Sequence, residues 1–408
     1  MRSVAFAVVA ALVLIVAAPP VAAAPSPSAR RVKCAKPATE RVQETPWAQE
    51  ALAANRAWNL SRGDGIVVAV LGTGVDGRVP QLAGNVLPGR DVSTPGGGRA
   101  DRDCAGTGTF AAGLVAARPL TGVAFAGVAP GATVLPVKVV KDGEKATAAT
   151  LAAGIEAALA GGAKVISVAV PPVAGDARLA RAVAGAVARD VLVVAPVPDG
   201  SGTPALDPDA PPEIHPAAYP GVLTVAATGR DGLAVDTGRT AVSTGGRAGR
   251  SGIRVQLAAP GQDLVSLGTR GPGQLAGSGA EFAAAYVAGT AALVRGYHGG
   301  LSATAARQRL FATASRPSSG GPDPAVGWGV VNPGDAVSAV IPGTAERGGT
   351  PPAVGLPGER LKDERAARHA VLMLMLVCGA VLVVGVSAAV IRAGRGRGWR
   401  AGDAGGRS

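Results

Sequence analysis

Aromatic side chains are scarce here: Phe, Trp and Tyr together make up 3% of 408 residues. A core of packed rings is thereby excluded, and the apolar set, mostly Ala and Val, must pack through many small aliphatic contacts. Cysteine is equally sparse, with three residues and no CxxC or Cys/His spacing of the kind that holds a metal. Neither a metal nor a cofactor is expected. Acidic residues are outnumbered, 28 against 40 basic, leaving a formal charge of +12. Such a balance raises the question of nucleic acid. The basic residues are scattered, however, except for a cluster after the last apolar segment. No zinc-finger spacing, aromatic–basic ribbon or RNP-like stretch is present, so a nucleic-acid partner is not expected. No internal repeat appears.

What the chain does have is a targeting pattern at each end. Residues 1–24 read as a signal peptide: Arg2, an apolar run from Val4 to Ala18, and Ala22-Ala23-Ala24 before Pro25. The alternative, an uncleaved anchor helix, is disfavoured by the short run and its stop at Pro19-Pro20. Near the other end, Ala370 to Ile391 is almost wholly apolar and without a polar face, which suits a span across a bilayer core of roughly 30 Å. A transmembrane helix is therefore expected over 369–391. Arg392, Arg395, Arg397 and Arg400 follow at once, and the positive-inside rule places the tail, 392–408, in the cytoplasm. The expected location is thus a single-pass cell-membrane protein with its bulk outside. A GPI-type anchor is ruled out because basic residues follow the apolar run.

The exported body holds Cys34 and Cys104. Disulfides persist outside the cytoplasm, and the two are expected to pair; two free thiols are the alternative. Cys378 falls inside the span as a small apolar filler. Residues 25–46 form an N-terminal extension that wraps the domain. Residues 47–341 form the domain itself, and 342–368 a Pro/Gly-rich linker. Within the domain, Trp47 to Leu60 has helical spacing, and IVVAVLG (66–72) is a Val-rich buried strand bounded by Gly. Strand-like runs recur at 133–140, 164–170, 191–195, 222–227 and 254–259. Ala-rich helical stretches interleave at 108–117, 147–160, 177–189, 281–297 and 302–314, the last capped by Ser302. This alternation predicts an α/β fold with a mostly parallel sheet covered on both faces.

Three segments carry a resemblance. IVVAVLGTGVDG (66–77) resembles the subtilase strand that bears the catalytic aspartate. DCAGTGTFAAGLVAA (103–117) resembles the histidine segment, D-x-x-G-H-G-T. GAEFAAAYVAGTAALV (279–294) resembles the serine segment, G-T-S-[FMY]-[AS]-A-P. VKVV (137–140) and YPGVLTVAA (219–227) resemble framework strands of the same family. The flank PWAQEALAANRAWNLSRGDG, the Cys beside the histidine segment, the Pro-rich tail and the single span narrow the likeness to mycosins. Those are the subtilase component of actinobacterial type VII secretion systems. The resemblance covers roughly residues 33–400 and implies a subtilisin-like three-layer fold. The family's second disulfide has no counterpart here, since its Cys would fall near 170–173.

A serine protease needs a nucleophile, a base that reaches it, an anion that orients the base, and donors for the oxyanion. At the aspartate position stands Gly72, which has no side chain. At the histidine position stands Thr107, whose neutral hydroxyl is no base near pH 7. At the serine position stands Glu281, whose carboxylate is a poor acyl acceptor. The oxyanion asparagine aligns with Asp199, or with Pro198 if the alignment slips by one, and neither offers a neutral amide. Local readings exist for the replacements: Glu281 opens a helix, Thr107 or Thr109 caps the preceding segment, and Gly72 continues a turn with Gly74. His215, His298 and His369 are the chain's histidines, and the resemblance puts none at the site. A Glu281/Asp199 pair acting on water, an echo of the carboxyl chemistry of sedolisins, is a remote further reading.

Three functions compete at this point. The first is a mycosin-like pseudoprotease acting as scaffold or binding component among type VII secretion membrane components. The second is an active subtilisin-like endopeptidase of that system. The third is a free-standing anchored peptide-binding domain that uses the vestigial cleft, where acidic replacements would favour basic peptides.

Overall fold

The computed structural model describes residues 34–197, 213–235, 254–317, 320–341 and 364–396. The expected signal peptide, most of the linker, most of the basic tail and both oxyanion candidates, Pro198 and Asp199, lie outside the described residues. The chain divides into two compact units, Met1–Arg347 and Gly348–Ser408.

In the first unit, residues 34–43 lie along the domain through backbone hydrogen bonds. Ala35 N–H donates to Cys104 O, Ala38 N–H to Thr269 O, and Gln274 N–H to Glu40 O. A disulfide joins Cys34 to Cys104, so the expected pairing is present. The close approach has a sequence cause: a Cβ at Gly271 would collide with Ala38 O, and one at Gly273 would press on Glu40.

Helix α1 (Trp47–Leu52) is shorter than the 47–60 helix expected. Ala53 turns left-handed at φ 43°, and a 3-10 turn, Ala54–Ala57, follows. Each half is held by its own tryptophan. Trp47 Nε1–H donates to Asp263 O at 3.0 Å, and Trp58 Nε1–H donates to Val128 O at 2.9 Å. These anchors on different segments outweigh the local helical preference, which is a few tenths of a kcal/mol per residue in order of magnitude.

The remaining elements alternate as expected: β1 (Val67–Gly72), β2 (Arg90–Asp91), α2 (Thr107–Ala116), β3 (Thr133–Lys138), α3 (Ala148–Ala160), β4 (Val165–Val168), β5 (Val173–Ala174), α4 (Ala177–Ala188), β6 (Leu192–Pro196), β7 (Glu213–His215), β8 (Leu223–Thr228), β9 (Leu257–Pro260), β10 (Leu264–Leu267), β11 (Gln274–Gly277), α5 (Ala280–Tyr297), α6 (Ala303–Thr313) and α7 (Pro333–Ser338). The main sheet has the order β2-β3-β1-β4-β6-β8-β9, and its ladders are parallel. Two short antiparallel pairs, β10–β11 and β5–β7, stand beside it.

Strand residues alternate between two cores, as the two-residue period of a strand requires. Val68 and Val70 pack with α2 and α5, whereas Ala69 and Leu71 pack with α3 and α4. This is the subtilisin-like α/β fold, with helices on both faces. Helix starts are fixed by side chains: Thr147 and Thr150 form a capping box for α3, Asp176 caps α4, and Ser302 caps α6 as expected. α5 is buried nearly all round, from Ala280 to Arg295 with Glu281 the exception. A helix apolar on every side must run through the interior. Its far end is tied by Arg295, which donates to Asp190 Oδ2 at 2.7 Å and to Asp190 O at 2.8 Å.

In the second unit, α8 (Glu364–Gly396) begins inside the expected linker and runs past Ile391. It is long and apolar enough to cross a membrane, with a candidate span over Cys378–Gly396. Leu382, Val383, Val384 and Val386 are exposed on it, a surface suited to lipid rather than water.

Candidate functional site

In a parallel sheet, function gathers at the carboxyl ends of the strands. β1 ends there at Gly72, and the chain continues into Thr73-Gly74. The segment before α2 returns to the same place, because the backbone of Gly108 meets that of Gly74. A Cβ on Gly108 would collide with Gly74 O, and one on Gly74, at φ 99°, would collide with Arg102 O. Both glycines are therefore demanded by close approach.

The junction is closed by a buried carboxylate. Asp103, 4% exposed, accepts four hydrogen bonds. Thr73 Oγ1 donates to its Oδ1 at 2.9 Å, and Gly106 N–H donates to the same oxygen at 2.8 Å. Thr109 donates to Oδ2 through both its N–H and its hydroxyl, each at 2.8 Å. The network then extends. Gly108 N–H donates to Thr73 Oγ1 at 2.9 Å, and Asp76 N–H donates to Thr109 Oγ1 at 3.0 Å. Asp103 is thus the group that caps α2, whose formal N-cap residue is Gly106. An aspartate three residues before the N-cap places both oxygens among the first free N–H groups, and ionised acceptors make the stronger bonds.

A second buried carboxylate, Asp76 at 1% exposed, ties in the β10–β11 turn. It accepts from Arg78 Nε at 2.9 Å, from Arg270 N–H at 3.0 Å and from Thr269 Oγ1 at 3.2 Å. Burial alone pushes its pKa up. The Arg78 guanidinium and the Arg270 and Arg78 N–H groups outweigh that and hold it below the ordinary 3.8.

The three positions singled out for chemistry border this junction. Gly72 is buried at the end of β1. A Cβ there would make ordinary contacts, 3.4 Å to Gly108 Cα and 3.6 Å to Ala169 Cβ, so space does not require glycine. It closes a strand rather than continuing a turn. Thr107 is the first residue of α2, half-buried, and its hydroxyl makes no hydrogen bond among the described residues. Glu281 is the second residue of α5, also half-buried. Its carboxylate folds back over Gly279, where a built Cβ would lie 2.6 Å from the carboxyl carbon and from both oxygens. The helix dipole favours a negative charge at that end, as expected. The first turns of α2 and α5 are pressed together by Phe110 and Phe282, with ring centroids 4.4 Å apart. Thr107 and Glu281 therefore start two helices that meet at one point.

The histidines stand elsewhere. His298 follows α5 at its far end, with Nε2 3.1 Å from Val337 O. His215 ends β7, with its ring centroid 4.4 Å from that of Tyr219; burial lowers its pKa. His369 lies in α8. Among the described residues, no group of three or more His, Cys, Asp or Glu could hold a metal.

The feature that sequence reasoning passed over is Asp103. It stands in the quoted segment, and the signal was its own motif: Asp-x-x-Gly-x-Gly-Thr places an acceptor, a glycine at positive φ, a close-approach glycine and a donor in one turn.

Comparison with known proteins agrees with the motifs. The profile of the subtilase family matches residues 63–329. Mycosin-1 of Mycobacterium tuberculosis (strain ATCC 25618 / H37Rv) is 32% identical over 376 residues, covering 79% of each chain. Mycosin-4 of the same organism is 32% identical over 396 residues, covering 86% of this chain and 82% of that one. Thermitase of Thermoactinomyces vulgaris is 33% identical over 273 residues, or 66% of this chain and 88% of that one. Among solved structures, the serine protease MycP1, described as an essential component of the type VII (ESX-1) secretion system, aligns at 29% identity with a TM-score of 0.61. That alignment covers 76% of this chain and 93% of MycP1. MycP3 protease from the type VII (ESX-3) system aligns at 28% identity with a TM-score of 0.59, over 76% of this chain and 94% of MycP3.

Two measurements check this geometry. Asp103→Ala strands four donors in a buried place and is expected to lower unfolding free energy by about 3 kcal/mol, against about 0.5 kcal/mol or less for Thr107→Ala, as read from urea midpoints. The second concerns acid. A carboxyl whose native pKa is depressed stabilises the fold fully above its unfolded value and loses that contribution as pH falls through its native value. The urea midpoint is expected to fall as pH drops below about 4, and Asp76→Asn is expected to remove part of that slope.

Proposed function

The chain belongs to the subtilase family and is mycosin-like within it; from that premise we propose that it is a pseudoprotease, serving a type VII secretion membrane complex as a scaffold or binding component. One observation carries the reading. The motif residues with structural work, Thr73, Gly74, Asp103, Gly106, Gly108 and Thr109, are all retained and engaged in close approaches or hydrogen bonds. The motif residues with chemical work are all replaced, by Gly72, Thr107 and Glu281.

The replacements share no chemistry. Gly72 orients nothing, and an uncharged Thr107 hydroxyl takes no proton near neutral pH. Glu281 puts a carboxylate where an alkoxide has to attack an acyl carbon and where negative charge would develop. Losing the base or the nucleophile alone costs a subtilisin-type enzyme on the order of 10⁶ in turnover. Asp199 in place of an asparagine would add a charge where a neutral donor is needed. A fold that keeps the hydrogen-bonding residues of these motifs while losing each reactive group fits selection for shape rather than turnover.

The place of action follows from the ends of the chain. A signal peptide over 1–24, a span within α8 and the arginines after it would hold the domain outside the membrane with its C-terminus inside. The mycosin relatives supply the partner class, the type VII membrane components. A vestigial cleft bounded by Thr107 and Glu281 could still hold an extended peptide.

Association is the readout that tests this role. Full-length protein purified from native membranes in mild detergent is expected to carry type VII membrane components at a fixed ratio. The combined Gly72→Ala, Thr107→Ala and Glu281→Ala variant is expected to retain them to within about twofold, since a scaffold role makes no use of these three positions as reactive groups. A wild-type preparation free of those components would remove the scaffold role.

A further inference from the structure

β7 ends in a ring that has no place for a charge. His215 is half-buried, and its Nδ1 is buried with no hydrogen-bond partner. Buried polar atoms are nearly always paired, so an unpaired one calls for an account. The neutral ring supplies it: with the hydrogen on Nε2, Nδ1 is a bare lone pair. An imidazolium would instead put an N–H there with no acceptor.

The surroundings leave Nδ1 no help. A Cβ built on Gly175 would lie 2.5 Å from Nδ1 and 2.6 Å from the Tyr219 hydroxyl oxygen, so the backbone of Gly175 presses on both. The Tyr219 hydroxyl already donates to Asp176 O at 2.9 Å. Its pKa is raised, first by burial and then by the charge of Asp176, so it stays a neutral phenol. At the start of α4, Asp176 Oδ1 accepts from Leu179 N–H at 2.7 Å, and Arg178 faces Glu156 at 3.8 Å. β5 has no titratable side chain, and the other titratable residue of β7 is Glu213. None of these groups accepts a hydrogen bond from Nδ1. Burial accordingly moves the His215 pKa down.

What the ring holds in place is short. β5 and β7 pair at two positions, Val173 with His215 and Ala174 with Glu213, with an irregularity between them. So brief a ladder has little stability of its own and can open while the main sheet stays closed. β5 begins shortly after Ala169, which borders Gly72, so the pair stands at the edge of the candidate site.

We propose that His215 is an acid-sensitive latch: the neutral ring keeps β7 on β5, and its protonation frees this pair locally. The open segment takes up a proton near the ordinary histidine pKa of about 6.5, the closed one only at lower pH. The latch is therefore at full strength above about pH 6.5 and weakens as pH falls below it. This inference is independent of the degenerate cleft and of any role in secretion.

The test is hydrogen exchange of the full chain in detergent, read by mass spectrometry as protection factors at about pH 7.5 and about pH 5.5. Protection over residues 173–176 and 214–219 is expected to fall by about threefold to tenfold at the lower pH. Tenfold is roughly the limit for one unit below an open-state pKa of about 6.5. Protection in α5 is expected to hold. His215→Phe and His215→Gln, which cannot titrate, are expected to keep the neutral-pH protection of the pair and lose its pH dependence. Should one variant fail to fold, the other and the wild-type titration decide. A wild-type change below about twofold, an equal fall in α5, or a fall of the same size in a folded variant would overturn the proposal.

Discussion

The carboxylate of Asp103 is the constraint on which the site region depends. It draws the end of β1, the start of α2 and the turn between them onto four hydrogen bonds in a buried place. Without it, α2 would begin with free N–H groups and Thr73 would lose its acceptor. Cys104, the next residue, is bonded to Cys34, so the N-terminal extension is fastened at the same spot. Asp76 adds the β10–β11 turn through Thr269 and Arg270. Four separate stretches of chain therefore converge on two carboxylates and three threonines.

On the proposed reading, this arrangement would let a proteolytic fold outlive its chemistry. Catalytic groups and structural groups alternate within the same short motifs, but they answer to different demands. Gly74 and Gly108 are fixed by backbone contact, and replacing either would drive main chain into main chain. Gly72, two residues from Gly74, has room for a Cβ. The Thr107 hydroxyl, between Gly106 and Gly108, makes no hydrogen bond among the described residues. On the proposed reading, in which turnover is not needed, substitutions at 72 and 107 would cost the fold little, while those at 74, 103 and 108 would cost it much.

Much of the fold was legible in the sequence, because strand and helix periods are local. The Val-rich run ending at Gly72 and the Ala-rich stretches around it gave their elements to within a few residues, and Ser302 announced its helix. Export and the two body cysteines were enough to expect Cys34 and Cys104 to pair. The failures were non-local. A straight helix over Trp47 to Leu60 agrees with spacing, but Asp263 and Val128 hold the two tryptophans apart, and only the fold brings those acceptors there. The cap of α2 is also non-local: Asp103 reaches the N–H groups of Gly106 and Thr109 from before the helix.

The central claim is that the junction persists as structure without a working nucleophile. A fluorophosphonate activity probe, applied to the full chain in detergent and read by mass spectrometry, tests it most directly, because such probes react with an activated serine whatever the natural substrate. The account predicts no covalent adduct. An adduct that disappears when one particular serine is changed to alanine would contradict it.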